Sequence, residues 1–511
     1  MKKSNVTAVI EIGSTGIRLV IARIGGQPDV EILDRAGKPS RIGRDVFTLG
    51  HITREAMRES LAVLSSFKEL LSGYDILPED ARVFATSAIR EASNRDTFVD
   101  RVSLQTGFRI TVVEDIEENH LMYLAVQHAL QDGQKLLSRS NAMILEVGGG
   151  STEIMLLRRG RMVASHSLSI GTVRVGEHMK AAGSSPAYLR QFLEDNVRTT
   201  CDCLEEDMVL ESVRTFIVIG SDARLAASRL AGNKTEHYSV IPRESFCSFA
   251  DSTSKLSTEE CVAEFRISWS DAEGLVSGLA IEKHFLERTQ AENVVIPDVS
   301  IREGLLLAIL KGPDNELAYE MHRQILASTS ALGRKFHFDE THAKTVTGYA
   351  LAIFDALVKD YGLDRKARLL LETSSMLHDI GTMVRYSGHH KHGEYIISNS
   401  EIFGLNRKDL GIISNVVRYH RKMPPAPTHL NFIALPREDR ILVTKLAAIL
   451  RVADALDRGH NGKIGKLEFE RIEDRFIIKA ENRHDFSLER LSMTEKSDMF
   501  AEVFGLEPVL A

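Results

Sequence analysis

Cysteine pairs of metal-binding spacing are missing from this chain. Its four cysteines, Cys201, Cys203, Cys247 and Cys261, include no C-x-x-C, and so few thiols in 511 residues make a disulfide framework unexpected. No stretch approaches the ~18 apolar residues of a membrane span. The start, Met1-Lys2-Lys3-Ser4-Asn5, runs straight into a short strand-like segment, too brief for the apolar region of a signal peptide. These absences point to a cytoplasmic protein without membrane contact. An excess of positive charge is lacking too. At a net charge of −7 no general affinity for nucleic acid is expected, and a polyanion site must be a local basic patch. A Gly-Lys-Ser/Thr phosphate loop opening a helix is not found at the glycine-rich turns, which argues against a P-loop.

What the chain does have is a pair of glycine-rich turns of the same grammar. The first is Glu11-Ile12-Gly13-Ser14-Thr15-Gly16, between the apolar runs Ala8-Val9-Ile10 and Ile17-Arg18-Leu19-Val20-Ile21. The second is Glu146-Val147-Gly148-Gly149-Gly150-Ser151-Thr152, between Met143-Ile144-Leu145 and Glu153-Ile154-Met155-Leu156-Leu157. Apolar runs on both sides predict strand–turn–strand. Glycine admits a close approach of backbone to a ligand, and successive N–H groups with Ser and Thr hydroxyls beside them make a nest for phosphate oxygens. One such turn would be an ordinary hairpin; two suggest duplicated halves facing each other across a phosphate.

Length and composition predict about three domains in a globular chain of 43% hydrophobic and 26% charged residues. Strand-like runs at 6–12, 17–24, 82–86 and 109–113, with a helix near 53–71, form a first α/β domain over 1–125. A second, 126–312, contains the second turn, a strand Met162 to His166 after the basic turn Arg158-Arg159-Gly160-Arg161, and the apolar run Phe216-Ile217-Val218-Ile219. Lys311-Gly312-Pro313-Asp314 breaks the pattern. The rest, 313–511, reads as helix to about Gly459, then short strands (Lys466 to Phe476, then Ile477-Ile478) and a closing weak helix.

Taken together, the turns resemble the phosphate-binding loops of the actin-like ATPase, sugar kinase and chaperone superfamily. Thr86-Ser87-Ala88-Ile89-Arg90-Glu91-Ala92-Ser93-Asn94 resembles the T-x-A-x-R-x-A-x-N stretch of the exopolyphosphatase/guanosine pentaphosphate phosphatase family. Val113-Glu114-Asp115-Ile116-Glu117-Glu118-Asn119 sits where that family has I-S-G-x-E-E-A, and Gly148 to Glu153 matches its second phosphate loop in letters. The resemblance spans essentially the whole chain. It implies an α/β fold of two actin-like (ribonuclease H-like) domains followed by an all-α HD-type domain with a short α+β tail. It also implies phosphoanhydride hydrolysis: terminal phosphate released from inorganic polyphosphate or, alternatively, from guanosine pentaphosphate. A homodimer would be its usual assembly.

Residue by residue, the resemblance makes Glu118 the carboxylate that positions or deprotonates the attacking water, with Glu117 as fallback. Arg90, Gly13, Ser14, Thr15, Gly148, Gly149, Gly150, Ser151 and Thr152 would bind phosphate. Glu11, Glu146 and Glu153 would share Mg²⁺ (or Mn²⁺), although the family carries Asp where this chain has Glu11 and Glu146. Such residue types suit a reaction that needs a positioned water and charge neutralisation more than a protein nucleophile.

A second constellation lies in the helical part. His342 shares a helical stripe with Val346, Tyr349, Ile353 and Leu357; Asp454 lies beside Leu446, Ile449, Leu450 and Asp457; His378-Asp379 stands before Ile380-Gly381. Core-facing His and Asp need partners. His342, His378, Asp379 and Asp454 resemble the H…HD…D metal ligands of HD-domain phosphohydrolases, implying a second divalent metal. His389, His390, His392 and His420 fall where binuclear members add histidines. Lys391, His392, Arg418, Arg421 and Lys422 resemble the basic lining of a polyphosphate channel. An alternative follows, with chemistry in the HD domain and a phosphate-sensing front half.

Overall fold

A computed structural model of the chain describes residues 6–25, 30–131, 134–182, 186–230, 232–311, 316–421, 423–480 and 485–511. These form two compact units, Met1–Met321 and His322–Ala511. The first is built on two sheets. β1 (Val6–Ile12), β2 (Gly16–Ile24), β3 (Val30–Pro39), β4 (Arg82–Ala85) and β5 (Ile110–Val112) lie in the order β3-β2-β1-β4-β5. β2 runs antiparallel to its neighbours, whereas β1, β4 and β5 are parallel. The second sheet comprises β6 (Asn141–Val147), β7 (Thr152–Arg158), β8 (Arg161–Leu168), β9 (Val213–Ile219), β10 (Asn233–Lys234), β11 (Tyr238–Pro242) and β12 (Asn293–Pro297), in the order β10-β11-β12-β9-β6-β7-β8. Its run β8-β7-β6-β9-β12 repeats the order and directions of the first sheet, and β11 and β10 extend the far edge. This is the duplicated actin-like architecture.

The central strands are nearly continuous apolar runs because both faces are covered. Ala8, Val9, Ile10 and Ile12 are fully buried, as are Ala142 to Leu145 and Phe216 to Val218. Each lobe has its own core. Missing from the sequence expectations was β3, whose burial alternates weakly and whose residues include Asp34, Arg35, Gly37 and Lys38. An outer edge strand with one wet side has no apolar run to announce it. The paired edge strands β10 and β11 escaped for the same reason.

The second unit is mainly helical, and its tail is a three-stranded sheet. β13 (Leu467–Ile472) pairs antiparallel with β14 (Arg475–Ala480), and β15 (Glu507–Leu510) adds in parallel to β14. The chain thus closes on a strand, not on the weak helix expected. Gly505, in the left-handed region at φ 65°, ends the Asp498–Phe504 helix and lets the chain turn back into the sheet. The expected break at 312–314 lies outside the described residues. No helix among the described residues is long and apolar enough to cross a membrane.

Candidate active site

Both glycine turns close identically. Gly13 N donates to Gly16 O at 3.0 Å, and Gly148 N donates to Ser151 O at 2.9 Å. The strand registers flanking them also match, Ile12 opposite Ile17 and Val147 opposite Thr152. The carbonyls of Ser14 and Thr15 accept from Gly43 and Ser40, and those of Gly148 and Gly149 from Thr172 and Val173. In a trans peptide the N–H points opposite to its C=O. The N–H groups of Thr15, Gly16, Gly149 and Gly150 are therefore turned away from those contacts. The turns also touch: a Cβ on Gly149 would stand 2.9 Å from Ser14 Cβ and 3.0 Å from Thr15 Cγ2. Only a residue without a side chain allows the approach. Between the lobes lies one cavity of about 480 Å³, lined by both turns.

One wall of that cavity is acidic. Glu118, on the Asp115–Ala129 helix, is buried, and its Oε1 accepts from Arg90 Nη1 at 2.6 Å. Burial is the largest influence on its carboxyl; Arg90 counters it, Asp115 and Glu11 add to it, and the outcome is a pKa raised to about 7. Glu146 and Glu153 stand directly opposite each other on β6 and β7 and project to the same face. Burial, then the charges of Glu118 and Glu11, push Glu146 up to about 8. Burial with Glu118 and Asp115 holds Glu153 well above the carboxylate range. Its oxygens are taken, Oε1 by Ser167 Oγ at 2.7 Å and Oε2 by Asn119 Nδ2 at 3.1 Å.

The cavity also has a basic lining, which sequence reasoning missed. Arg18 on β2, Arg224 on the Ser221–Arg229 helix and Arg302 on the Ile301–Lys311 helix all line the cavity. Burial first, with Arg302 and Arg18 among the further causes, lowers Arg224. Arg302 pairs with Glu11, while its Nε is buried with no acceptor among the described residues. Buried cations crowded together with an unused donor favour an anionic ligand. The Ser300-x-x-Glu303 pattern was the available signal, since Glu303 accepts from the Ser300 N–H and hydroxyl at the helix start, which places Arg302 in the first turn.

Gly13, Ser14, Thr15, Gly148, Gly149 and Ser151 line the cavity together with Glu11, Glu118, Glu146 and Glu153. Other expected residues are engaged elsewhere. Glu117 Oε2 accepts from Glu114 N at 3.1 Å and closes a capping box, so its carboxylate serves the helix start. Arg90 is spent on Val113 O at 2.6 Å, Asp115 and Glu118, which makes it a holder of the acid wall. Gly150 is packed between lobes, where a Cβ would come within 2.4 Å of Ser87 Oγ and 2.5 Å of Phe47 Cζ. Thr152 donates its hydroxyl to Ile170 O at 2.5 Å. Glu11, Glu146 and Glu153 do not converge into a metal cage. Among the described residues, three or more His, Cys, Asp or Glu ligand atoms lie within 4.8 Å of one another only in the helical unit. Arg302 draws Glu11 one way, and Ser167 and Asn119 hold Glu153 another.

Several buried carboxyls with raised pKa values carry a stability consequence. Glu118 at about 7, Glu146 at about 8 and Asp222 at about 7 all bind their protons more tightly folded than unfolded, where values of 4.5 and 3.8 apply. Their contribution is full below the unfolded values and is lost as pH rises through the folded ones. Their contribution to the unfolding temperature should therefore shrink between about pH 4 and pH 8, and Glu146→Gln should lessen that loss relative to the wild type. Wild-type and Glu146→Gln profiles that run parallel across that range in differential scanning calorimetry would contradict the buried placement of Glu146.

In the helical unit the ligand atoms of His342, His378 and Asp454 form one cluster, those of Asp379, His389 and His420 a second, and those of His342, Asp379 and His460 a third. His342 and His378 Nε2 are 3.2 Å apart, as are those of His389 and His420. Burial pushes His420 down to about 3. His390 and His392 are not in these clusters. Of the basic stretch, Arg418 pairs with buried Glu394, Arg421 stacks 5.6 Å over the Tyr386 ring, Lys391 is exposed and His392 half-buried. Lys422 lies outside the described residues.

Fold and cleft define a two-lobed protein of actin-like architecture with a charged cavity between its lobes. The Ppx/GppA phosphatase family model matches residues 20–312, and that of Ppx/GppA phosphatase domain III matches 325–497. Guanosine-5′-triphosphate,3′-diphosphate pyrophosphatase of Photobacterium profundum is 23% identical over 87% of this chain and 84% of its own length. The protein so named from Pseudoalteromonas atlantica is 25% identical over 87% and 85%. A solved exopolyphosphatase from Cytophaga hutchinsonii superposes with a TM-score of 0.54 at 19% identity, covering 60% of this chain and 97% of that one. The chain belongs to the Ppx/GppA phosphatase family, and its activity is phosphoanhydride hydrolysis.

Proposed function

We propose that the cleft releases the terminal phosphate of inorganic polyphosphate by attack of water that Glu118 positions and deprotonates. The observation that carries this is that one cavity holds a carboxylate of pKa about 7 together with three arginines and two glycine turns. The water oxygen bonds to the terminal phosphorus, the phosphoanhydride P–O bond breaks, and the water proton passes to Glu118. With Oε1 held by Arg90, the remaining lone pairs of the carboxylate serve the water. A pKa near the working pH suits a base that must both take and release a proton. Arg18, Arg224 and Arg302, with the outward N–H groups of the turns, neutralise the phosphate oxygens, where most of such a transition state's charge lies.

The cleft is all-oxygen on its acid side but lacks a three-carboxylate cage, which fits Mg²⁺ (or Mn²⁺) arriving with the phosphates and held by one or two carboxylates, Glu146 first and Glu11 beside it. Such an ion would supply charge neutralisation at the phosphate oxygens.

Guanosine pentaphosphate is the second reading. The same cavity is bordered by the apolar Leu225, Ile267 and Leu275 with Ser270 and Asp271, a surface suited to a nucleoside, and relatives of this chain carry the corresponding name. Phosphate-release assays on both substrates, with Mg²⁺ and with Mn²⁺, decide. Faster turnover per enzyme on long-chain polyphosphate supports the first reading. A kcat/KM at least tenfold higher on the pentaphosphate would replace it with the second.

A further inference from the structure

Three successive carbonyls of the second glycine turn are held by three successive residues at the start of the Thr172–Ala182 helix. Gly148 O accepts from Thr172 N at 2.9 Å, Gly149 O from Val173 N at 2.9 Å, and Gly150 O from Arg174 Nε at 2.6 Å. The third bond comes from a side chain, whereas Ser14 O and Thr15 O of the first turn are held by backbone alone. In a trans peptide the N–H opposes its C=O, so fixing Gly150 O turns the Ser151 N–H the other way. Ser151 lines the cavity, and among the described residues no backbone oxygen accepts from its N–H. The N–H groups of Gly149, Gly150 and Ser151 thus all point away from that helix, as in an anion nest.

Arg174 is itself anchored in the other lobe. Its Nη2 donates to Glu91, the residue after Arg90, which in turn holds Glu118. Its guanidinium lies 4.0 Å from the centroid of the Phe47 ring. Phe47 belongs to the Ile42–Leu49 helix, whose Gly43 N donates to Ser14 O in the first turn. The same ring would stand 2.5 Å from a Cβ on Gly150. One guanidinium therefore joins both glycine turns and the segment that carries Arg90. Its planar fork makes this possible, with Nε given to a carbonyl of one lobe and Nη2 to a carboxylate of the other. An ammonium, a compact point charge, does not reproduce that geometry.

We propose that Arg174 is a positioning residue for hydrolysis: it orients the Gly150–Ser151 peptide so that the second turn offers a third N–H to phosphate, and it ties that orientation to contact between the lobes. The inference rests on the cleft being the phosphate site, as set out above. Arg174 acts through the turn and not on the phosphate. Such N–H donors serve bound and reacting phosphate alike, so their loss weakens binding more than it slows chemistry. The competing account is a plain staple between lobes, like that of Arg44 with Glu177 and Glu273 at 3.0 Å each.

Arg174→Lys in the full chain should raise the KM for polyphosphate and the Kd for inorganic phosphate, read by titration calorimetry, roughly 10–100-fold, the worth of a charge-assisted hydrogen bond. Its kcat should change less than about threefold. In Arg174→Ala, guanidinium ion added below unfolding concentrations should lower both constants again. Arg44→Gln, whose ion pairs involve neither turn, should leave both within about twofold. If Arg174→Lys fails to fold, Glu91→Gln at the exposed outer anchor should still raise both roughly two- to fivefold. Unchanged KM and Kd in whichever variant folds would overturn the proposal. Equal rises in Arg44→Gln and Arg174→Lys would also overturn it, leaving Arg174 a staple. The phosphate Kd is read without turnover, whereas normal turnover in Glu118→Gln would remove the hydrolytic reading alone, so the two fail separately.

Discussion

Glu118→Gln is expected to slow phosphate release about 10²–10⁴-fold, the range set by loss of a positioned general base. The amide keeps the shape, and its oxygen keeps the bond from Arg90, so KM and the circular dichroism spectrum should change little. Arg90 retains Asp115 and Val113 O, which prevents a freed cation from rearranging the wall. In the wild type, kcat/KM should climb as pH passes through about 7, as the raised carboxyl ionises. The variant should lose that limb. Its neighbour supplies the contrast: Glu117→Ala removes half of a capping box, costing at most about 1 kcal/mol of stability while turnover persists. Normal turnover in Glu118→Gln, measured with substrate in excess, would remove this carboxylate from the chemistry.

Gly304→Ala, distant from any phosphate contact, should be nearly as damaging. A Cβ at Gly304 would lie 2.0 Å from Leu121 O and 2.7 Å from Leu121 C, both backbone atoms that cannot rotate aside. Here the Ile301–Lys311 helix crosses the Asp115–Ala129 helix, so Arg302 and Glu118 are positioned by the same contact. Forcing the helices apart costs about 1–3 kcal/mol as an overpacked core does, and a shift near 1 Å of Arg302 relative to Glu118 costs about 10²-fold in rate. Urea unfolding and steady-state kinetics read the two effects. A variant as stable and as fast as the wild type would mean that the helices are free to separate.

Much of the hydrolytic cleft was visible in linear order because it is built locally. A turn between two strands needs its glycines within a few residues, so Gly13 to Gly16 and Gly148 to Ser151 announce themselves, whereas Glu118 was named only by the resemblance, since an acid at a helix start reads equally as a partner of the helix dipole. Edge strand β3 stayed hidden because half of it faces water and its polar residues break the apolar rhythm. Arg18, Arg224 and Arg302 were invisible for a different reason. Nothing in a strand or a helix start says which cation will point inward; they converge only once β2 and two helices from separate stretches surround one space. The same convergence reassigns Arg90 from phosphate to Glu118 and removes Glu153 from a metal cage, since the residues that hold them lie 14 to 34 positions away.

By itself the amino-acid order determined the duplicated α/β halves, their paired phosphate turns and the histidine–aspartate spacing of the helical part, because each depends on periodicity or on neighbours within one element. Tertiary structure alone decided which charges share a cavity and which nitrogens of four distant histidines meet. Coulomb energy and desolvation depend on distance through space, and folding sets that distance without regard to separation along the chain.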